Sequence, residues 1–190
     1  MRIDHVIWAT ADLSATTDRL AREHGLRDTG GGRHVGLGTH NRVLPLGGGY
    51  LEVLAVADPE EAAGSPLGRT IAAAPEGLFG WAVATADVEA HAARLGLEVT
   101  RIERGGLTAR LAGVAEAMAE PPLPFFIQRD PGIADPSAGG DAGGIAWLEL
   151  AGDAERLSAW LGGEELPLRV VAGQAPGVRA VGLGSGAVIR

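Results

Sequence analysis

The sequence predicts an α+β protein built from two tandem β-α-β-β-β modules, with a partial β-α-β-β repeat at its C-terminal end. The first observation is a repeat, because Ala-Thr-Ala-Asp occurs at 9–12 and again at 84–87, each time between an apolar run and a helical pattern. The second is a series of short apolar runs, broken by glycines, after each helical pattern. Internal self-similarity is typical of duplicated structural units. We expect one compact domain whose modules form a curved mixed sheet around a cleft.

The first module is expected over residues 1–59. IDHVIWATADLSATTDRLAREHG predicts a strand and a helix, with Asp12 or Ser14 placed to cap the helix. RHVGLGTHNRVLPLG and GYLEVLAVADP predict the strands that follow. The last of them closes on Asp58-Pro59, which suits a strand end because proline cannot donate to a β-ladder.

The second module is expected over residues 78–131, where LFGWAVATADVEAHAARLG repeats the strand and helix and EVTRIERGG, LTARLAGVAEA and PFFIQRDPG predict three strands. Residues 60–77, rich in Ala, Gly and Pro, link the two modules. Residues 144–190 predict the partial repeat, in which Asp153 caps a helix. The segment 130–144 has the composition of a mobile surface loop.

Composition excludes several function classes. With 46% hydrophobic and 21% charged residues the chain is expected to fold, and its net charge of -8 argues against binding nucleic acid. All of the cationic side chains are arginines, so Schiff-base lysine chemistry is excluded, and the absence of cysteine excludes disulfides and thiol nucleophiles. The sequence contains neither a signal-peptide pattern nor an apolar run of about 20 residues, which predicts a cytoplasmic protein without a membrane partner.

A histidine in the first strand and Tyr-Leu-Glu in the last strand of the first module carry a resemblance to a known family. IDHVIWATADL at 3–13, RHVGLGTHNRVLPLGGGYLEVLA at 33–55 and LPFFIQRD at 123–130 resemble the glyoxalase-like domain group of the vicinal oxygen chelate superfamily, which also contains bleomycin-resistance proteins and extradiol dioxygenases. The resemblance implies that two curled modules form a cleft and that the first and last strands supply one His and one Glu per module as metal ligands. It also allows a homodimer.

Glu52 stands inside an apolar strand. With a period of two, Tyr50 and Glu52 share one face while Leu51 and Val53 share the other, which can pack on the helix. On the fold that the resemblance implies, Glu52 then points into the cleft and so does His5. A buried ionised carboxylate needs a partner, so we expect a His5–Glu52 hydrogen bond. This pair would be a general base, an anchor for a ligand or a satisfied internal pair.

The resemblance implies His5 and Glu52 as ligands of one divalent metal ion, such as Zn, Ni, Fe or Mn. The second module departs from the family pattern. Aligning the two copies of the repeat makes Gly80 the equivalent of His5, and the similar spacing along the chain makes Gln128 the equivalent of Glu52. Glycine offers no ligand and an amide is a poor one, so half of the expected set is missing. Glu149 is an alternative ligand, although its own repeat alignment gives it a different position.

Other polar residues are candidates for contacting a ligand. His40 and Asn41 follow a Gly-Thr turn that lies near the cleft in the resembled group, although Asn41 alternatively caps the turn. Arg129 is expected at the cleft mouth, where it would meet a carboxylate ligand, or else at the surface paired with Asp130. The remaining predicted ligand-binding residues are Tyr50, Phe126 and Gln128.

Two functions from different classes follow. The first is a glyoxalase-like protein that binds a small organic carbonyl or diol ligand in the cleft and acts through Glu52 and His5 as a lyase, isomerase or dioxygenase, with any bound metal serving as a Lewis acid. The second is a non-catalytic, metal-free binding or drug-resistance protein that sequesters a compound in the same cleft. The gap at Gly80 and Gln128 favours the second function.

Overall fold

The computed structural model of the protein describes residues 1–104, 107–172 and 175–190. Module one consists of β1 (Arg2–Ala9), α1 (Leu13–His24), β2 (Arg33–His34), β3 (Thr39–Pro45) and β4 (Tyr50–Val56). Two short helices follow, α2 (Pro59–Gly64) and α3 (Pro66–Ala73). Module two consists of β5 (Gly77–Ala84), α4 (Val88–Leu95), β6 (Val99–Arg104), β7 (Leu107–Ala112), α5 (Val114–Ala119) and β8 (Phe125–Arg129). The C-terminal part contains β9 (Ile145–Ala151), α6 (Ala154–Leu161), β10 (Leu168–Val171), β11 (Gly177–Leu183) and β12 (Val188–Ile189).

The two modules form one sheet with a symmetric strand order, β2-β3-β4-β1-β5-β8-β7-β6. The antiparallel pair β1 and β5 lies at its centre, with His5 opposite Ala82 and Ile7 opposite Gly80. The Ala-Thr-Ala-Asp repeat makes Gly80 the equivalent of His5, and Ala82 the equivalent of Ile7. Exchanging the two modules therefore turns the His5–Ala82 pairing into the Ile7–Gly80 pairing. A pseudo-twofold axis therefore passes between β1 and β5, and the predicted fold class is confirmed.

Apolar residues cover both faces of this sheet. Val6, Trp8 and Leu51 belong to a core cluster that includes Leu20 of α1 and Leu148 of the second sheet. On the other face, Ile7, Leu54 and Phe125 belong to a cluster that includes Ile71 of α3 and Ala117 of α5. The second face is concave, because strands from both halves of the sheet contribute side chains to a single cavity on this face.

The second sheet has the order β10-β9-β11-β12, with β9 parallel to β10 and antiparallel to β11. The predicted strand, helix and two strands are present as β9, α6, β10 and β11, and β12 follows them. The strand order differs from that of the modules, because β10, the strand after the helix, pairs directly with the first strand. Helix α6 attaches it to the larger sheet, since the buried Trp160 ring donates a hydrogen bond of 2.8 Å to the carbonyl of Pro124. Asp153 caps α6 as expected, accepting bonds from the amides of Glu155 and Arg156.

The link between the modules contains the two short helices, which Asp58 and Ser65 cap. The structure corrects two local expectations. The run LTARLAGVAEA is not one strand, since β7 ends before Gly113, which has a φ of 79°, and α5 begins after it. The segment 130–144 is anchored, because the amide of Gly47 donates to the carbonyl of Ser137.

Asp12 rather than Ser14 caps α1, with its side chain accepting a hydrogen bond from the amide of Ala15. In the part of the chain that the structure describes, no helix combines the length and apolarity needed to cross a membrane.

Candidate functional site

A cavity of about 360 Å³ lies on the concave face of the eight-stranded sheet. Module one lines it with polar side chains, among them His5 of β1, Asn41 of β3, and Tyr50 and Glu52 of β4. Residues 29–32, between α1 and β2, also line it, as does Arg33 of β2. Module two lines it with the apolar side chains Ile102, Leu107, Leu111, Phe125 and Ile127, which we call the module-two wall. The cavity therefore has one polar and one apolar side.

A β-bulge at Asp4 shapes the polar side. The pairing of β1 with β5 shifts register between Ile3 and His5, so Asp4 is an extra residue in the ladder. Ile3 and Val6 both pack in the cluster beneath α1, which leaves Asp4 and His5 together on the concave face. Without a bulge, neighbouring residues of a strand point to opposite faces. The bulge allows Oδ2 of Asp4 to lie 2.8 Å from Nδ1 of His5.

Arg129 holds Asp4 from the other side. Its two terminal nitrogens donate to Oδ1 and Oδ2 of Asp4 at 2.6 and 2.7 Å, a bidentate ion pair in which the carboxylate is fully buried. Burial raises the pKa of Asp4, but the hydrogen bonds from Arg129 and His5, together with their charges, outweigh it and hold this pKa well below its usual range. Asp4 is therefore ionised. An ionised carboxylate only accepts hydrogen bonds, so Nδ1 of His5 carries the proton.

The second nitrogen of His5 faces Glu52. Nε2 of His5 has no hydrogen-bond partner among the described residues, and Oε2 of Glu52 is 3.5 Å away. The other carboxylate oxygen, Oε1, accepts a bond of 2.5 Å from the Asn41 amide. Oδ1 of Asn41 accepts in turn from the amide of Gly32 at 2.9 Å, which fixes the orientation of the Asn41 side chain. Arg129, Asp4, His5, Glu52 and Asn41 therefore form a continuous polar chain across the sheet.

Two aromatic rings enclose His5. The ring of Tyr50 stacks on it with centroids 4.6 Å apart, and the ring of Phe125 meets its edge at 5.4 Å. Burial raises the pKa of the Tyr50 phenol, and the charges of Glu52 and Asp4 raise it further. Tyr50 therefore stays a neutral phenol, and its oxygen accepts a bond of 3.3 Å from Arg129.

A family model for the glyoxalase-like domain matches residues 3–165. The chain belongs to the glyoxalase-like domain family. The predicted resemblance is thereby confirmed. A comparison with curated proteins finds no match.

Solved structures with the same fold include a hypothetical protein from Staphylococcus aureus, at 19% identity and a TM-score of 0.67, over 98% of this chain and 97% of that chain. Methylmalonyl-CoA epimerase from Streptomyces coelicolor, in complex with 2-nitronate-propionyl-CoA, is 23% identical with a TM-score of 0.51, over 68% of this chain and 96% of that chain. The epimerase from Mycobacterium tuberculosis is 15% identical with a TM-score of 0.52, over 68% and 87%. Likeness at this level shows the fold.

Within this glyoxalase-like domain, several predicted site residues lie away from the cavity. His40 lies on the face opposite to Asn41, in a depression beside the start of α1, and burial together with Arg42 and Arg33 lowers its pKa. Phe126 is fully buried in the core and stacks on His91 at 4.7 Å. These two residues do not face the cleft.

Gln128 and Arg129 also differ from expectation. The side-chain oxygen of Gln128 accepts a bond of 2.9 Å from the amide of Val88 and so caps α4. Arg129 is neither free for a ligand carboxylate nor paired with Asp130, because it binds Asp4, while Asp130 pairs with Arg101 at 2.9 Å.

The strand register also corrects the position equivalent to Glu52. Ile7 pairs with Glu52 across β1 and β4, and its equivalent Ala82 pairs with Phe125 across β5 and β8. Phe125, rather than Gln128, therefore holds the position of Glu52 in module two. Similar spacing along the sequence could not reveal this, because the β7–β8 connection contains α5.

The described side chains do not fit a resident transition metal. His5 and Glu52 bring two ligand atoms together, whereas catalytic zinc sites use three protein ligands. The equivalent positions, Gly80 and Phe125, have no ligand atom, and Glu149 lies on β9 in the second sheet. Among the described residues, no three His, Asp or Glu side chains are arranged to hold a metal ion. His5 and Glu52 as metal ligands therefore remain a sequence-based prediction without structural support.

Sequence reasoning missed Asp4. Its one signal was an acid within an apolar strand, the same signal that singled out Glu52. A period of two assigned it to the face away from His5, and nothing in IDHVIWA marks a bulge.

Proposed function

We propose that this glyoxalase-like domain binds a small organic molecule with a carbonyl or vicinal diol in the cavity and transfers a proton at the carbon next to that oxygen. The reaction class is that of an isomerase or lyase. The observation that carries the proposal is the polar chain from Arg129 to Glu52, which ends at the cavity with a carboxylate oxygen and an imidazole nitrogen 3.5 Å apart.

Glu52 is the proposed general base. Asn41 donates a hydrogen bond to Oε1, and Oε2 lies 3.5 Å from Nε2 of His5. For an α-hydroxy ketone, Oε2 takes the proton from the hydroxyl-bearing carbon, the electron pair of the C–H bond forms a C=C bond, and the carbonyl π pair moves to oxygen, giving an enediolate. Return of the proton from Oε2 to the former carbonyl carbon, with the hydroxyl proton passing to the enediolate oxygen, completes an isomerisation. His5 is the neighbouring group that shares this proton, and a well-placed acid–base group contributes about 10²- to 10⁴-fold to rate.

The ionised Asp4 supports this role. Asp4 accepts a hydrogen bond from Nδ1 of His5, which leaves Nε2 as the ring nitrogen directed toward Glu52. The charge of Asp4 also stabilises positive charge on the ring when Nε2 takes up a proton. The phenol of Tyr50, kept neutral, is a hydrogen-bond donor suited to a ligand oxygen. Two structural neighbours are named epimerases, which are enzymes whose reaction also changes the position of a proton at carbon.

Proton exchange in D₂O tests the proposal. A panel of α-hydroxy ketones is incubated with the wild-type chain, and ¹H NMR follows loss of the signal from the hydrogen on the hydroxyl-bearing carbon. We expect catalysed exchange that Glu52→Gln lowers by about 10²-fold or more. Glu149→Gln is the matched control, since it changes a glutamate on the second sheet.

Two outcomes would contradict catalysis by Glu52. Exchange equal in Glu52→Gln and the wild type would remove Glu52 as the base. Ligand-induced thermal stabilisation of the wild type without any exchange would instead establish a binding protein that sequesters its ligand.

A further inference from the structure

The pseudo-twofold axis relates a polar wall of the cavity to an apolar one. In module one, the residue of β4 that pairs with Ala9 of β1 also pairs, on its other side, with Asn41 of β3. In module two, the residue of β8 that pairs with Ala84 of β5, the equivalent of Ala9, also pairs on its other side with Leu111 of β7. Leu111 is therefore the counterpart of Asn41, as Phe125 is the counterpart of Glu52.

The module-two wall leaves apolar surface open to the cavity. Ile102, Leu107 and Leu111 line the cavity and are only half buried, although they belong to a sheet whose other aliphatic residues are mostly buried. Phe125 and Ile127 continue this surface into the concave cluster. Apolar surface inside a concave site favours a ligand whose own apolar part removes it from water.

The polar wall favours a head group that carries hydrogen-bond donors and acceptors. The phenol of Tyr50, the imidazole of His5 and the carboxylate of Glu52 line this side of the cavity. Arg33 also lines it, but its guanidinium already binds Asp58 at 3.1 Å and Glu61 at 2.6 Å. A carbonyl or hydroxyl group can exchange hydrogen bonds with the groups of this wall.

We infer that the ligand is an amphiphile, with a hydroxy-ketone or diol head on the polar wall and an aliphatic tail on the module-two wall. This inference rests on the proposed function, which supplies the head group. The cavity of about 360 Å³ has the volume of about twelve water molecules at about 30 Å³ each. It therefore has room for the head and a tail of roughly six carbons.

A chain-length series tests the inference. Straight-chain 1-hydroxy-2-ketones of about four to about ten carbons bracket the tail length that fits. Calorimetric titration into the full chain is expected to show the Kd falling about threefold to fourfold per methylene and then levelling off once the cavity is full.

The symmetric pair Asn41 and Leu111 provides matched variants. Leu111→Asn should flatten the dependence on chain length, weakening the longest ketones most, because it makes part of the tail surface polar. Asn41→Leu should weaken every member by the same factor and keep the dependence. Ile102→Ser repeats the first test at a second position, and circular dichroism checks that each variant is folded.

The outcomes separate the two proposals. A wild-type Kd that is the same for all chain lengths would overturn the amphiphile while the proposed function stands. Failure of every member to bind, with no exchange of any shorter α-hydroxy ketone, would reject the proposed function and the inference with it.

Discussion

Asp4 and His5 are neighbours in the sequence, yet their side chains meet on the same face of β1, with Oδ2 of Asp4 2.8 Å from Nδ1 of His5. The register shift between Ile3 and His5 makes this contact possible. Arg129, at the end of β8, completes the arrangement by binding both oxygens of Asp4. The contact therefore links the orientation of His5 to the joining of the two modules.

Asp4→Asn should destabilise the fold by about 3–5 kcal/mol, because it leaves the largely buried guanidinium of Arg129 without its counter-charge. Urea denaturation followed by circular dichroism measures the free energy of unfolding. The control is Asp130→Asn, which removes an exposed ion pair with Arg101 and should cost about 0.2–1 kcal/mol. Equal losses in the two variants would contradict the proposed importance of the Asp4 pair.

The advantage of the wild type over Asp4→Asn should depend on pH in the acid range. Although burial raises the pKa of Asp4, the hydrogen bonds from Arg129 and His5 hold it well below that of an unfolded aspartate, about 3.9. Folding therefore favours the ionised form, so its contribution is fully present above about pH 5 and declines as the pH falls below about 4. Unfolding free energies measured across this range should show a constant difference that shrinks only in acid. A difference that grows on acidification would be the wrong sign.

Gly31→Ala should destabilise the chain by about 1–3 kcal/mol and weaken ligand binding, because a Cβ there would overlap the backbone carbonyl of Asn41. Thermal unfolding and calorimetric titration measure the two effects. The neighbouring Gly32→Ala is the control, since no atom lies within 4 Å of its added Cβ. If both alanines behave alike, close approach of this loop to β3 is not the cause.

Substitutions at Phe125 and Phe126 should have different effects, one mainly on ligand affinity and the other mainly on stability. Phe126→Ala removes a fully buried ring and is expected to cost about 3–5 kcal/mol, with ligand affinity retained at temperatures where the variant is folded. Phe125→Leu is expected to change ligand affinity more than stability, because Phe125 lines the cavity and contacts His5. The reverse pattern would place the ligand on the other face of β8.

Restoring the missing half of the symmetric ligand set should create a metal site. The double variant Gly80→His, Phe125→Glu adds two ligands at the equivalents of His5 and Glu52, and a Cβ at Gly80 meets only Met118 and Ile7, at 3.7 and 3.8 Å. We expect zinc affinity by calorimetry to rise about tenfold or more over the wild type. Gln128→Glu, at the position that spacing along the sequence suggested, should give no gain, since its side chain caps α4.

The repeat in the sequence predicted the two modules, and a period of two predicted which side chains share a face with Glu52, because both patterns can be read without knowledge of tertiary contacts. The resemblance to the family implied the cleft and the position of His5 beside Glu52. His40 shows the limit of the same rule, since two adjacent strand residues cannot both face the cavity unless a bulge intervenes, and Asn41 is the one that does.

The remaining errors concern register. Phe126 and Gln128 lie one and three residues from Phe125, the equivalent of Glu52, and an odd displacement along a strand moves a side chain to the opposite face. Helix α5 between β7 and β8 altered the spacing on which that assignment depended. Asp4 was missed because a bulge forms between paired strands and is not determined by either strand alone.

The central position of β1 also affects how the chain is made. The strand pairs with β4 on one side and β5 on the other. Synthesis proceeds from the N-terminus, so β1 and β4 have both left the ribosome before β5, at Gly77–Ala84, emerges. Until then, one edge of β1 is unpaired, and an open edge is a template for another chain. The newly made first module is therefore the stage at which this protein is most exposed to mispairing with its own copies.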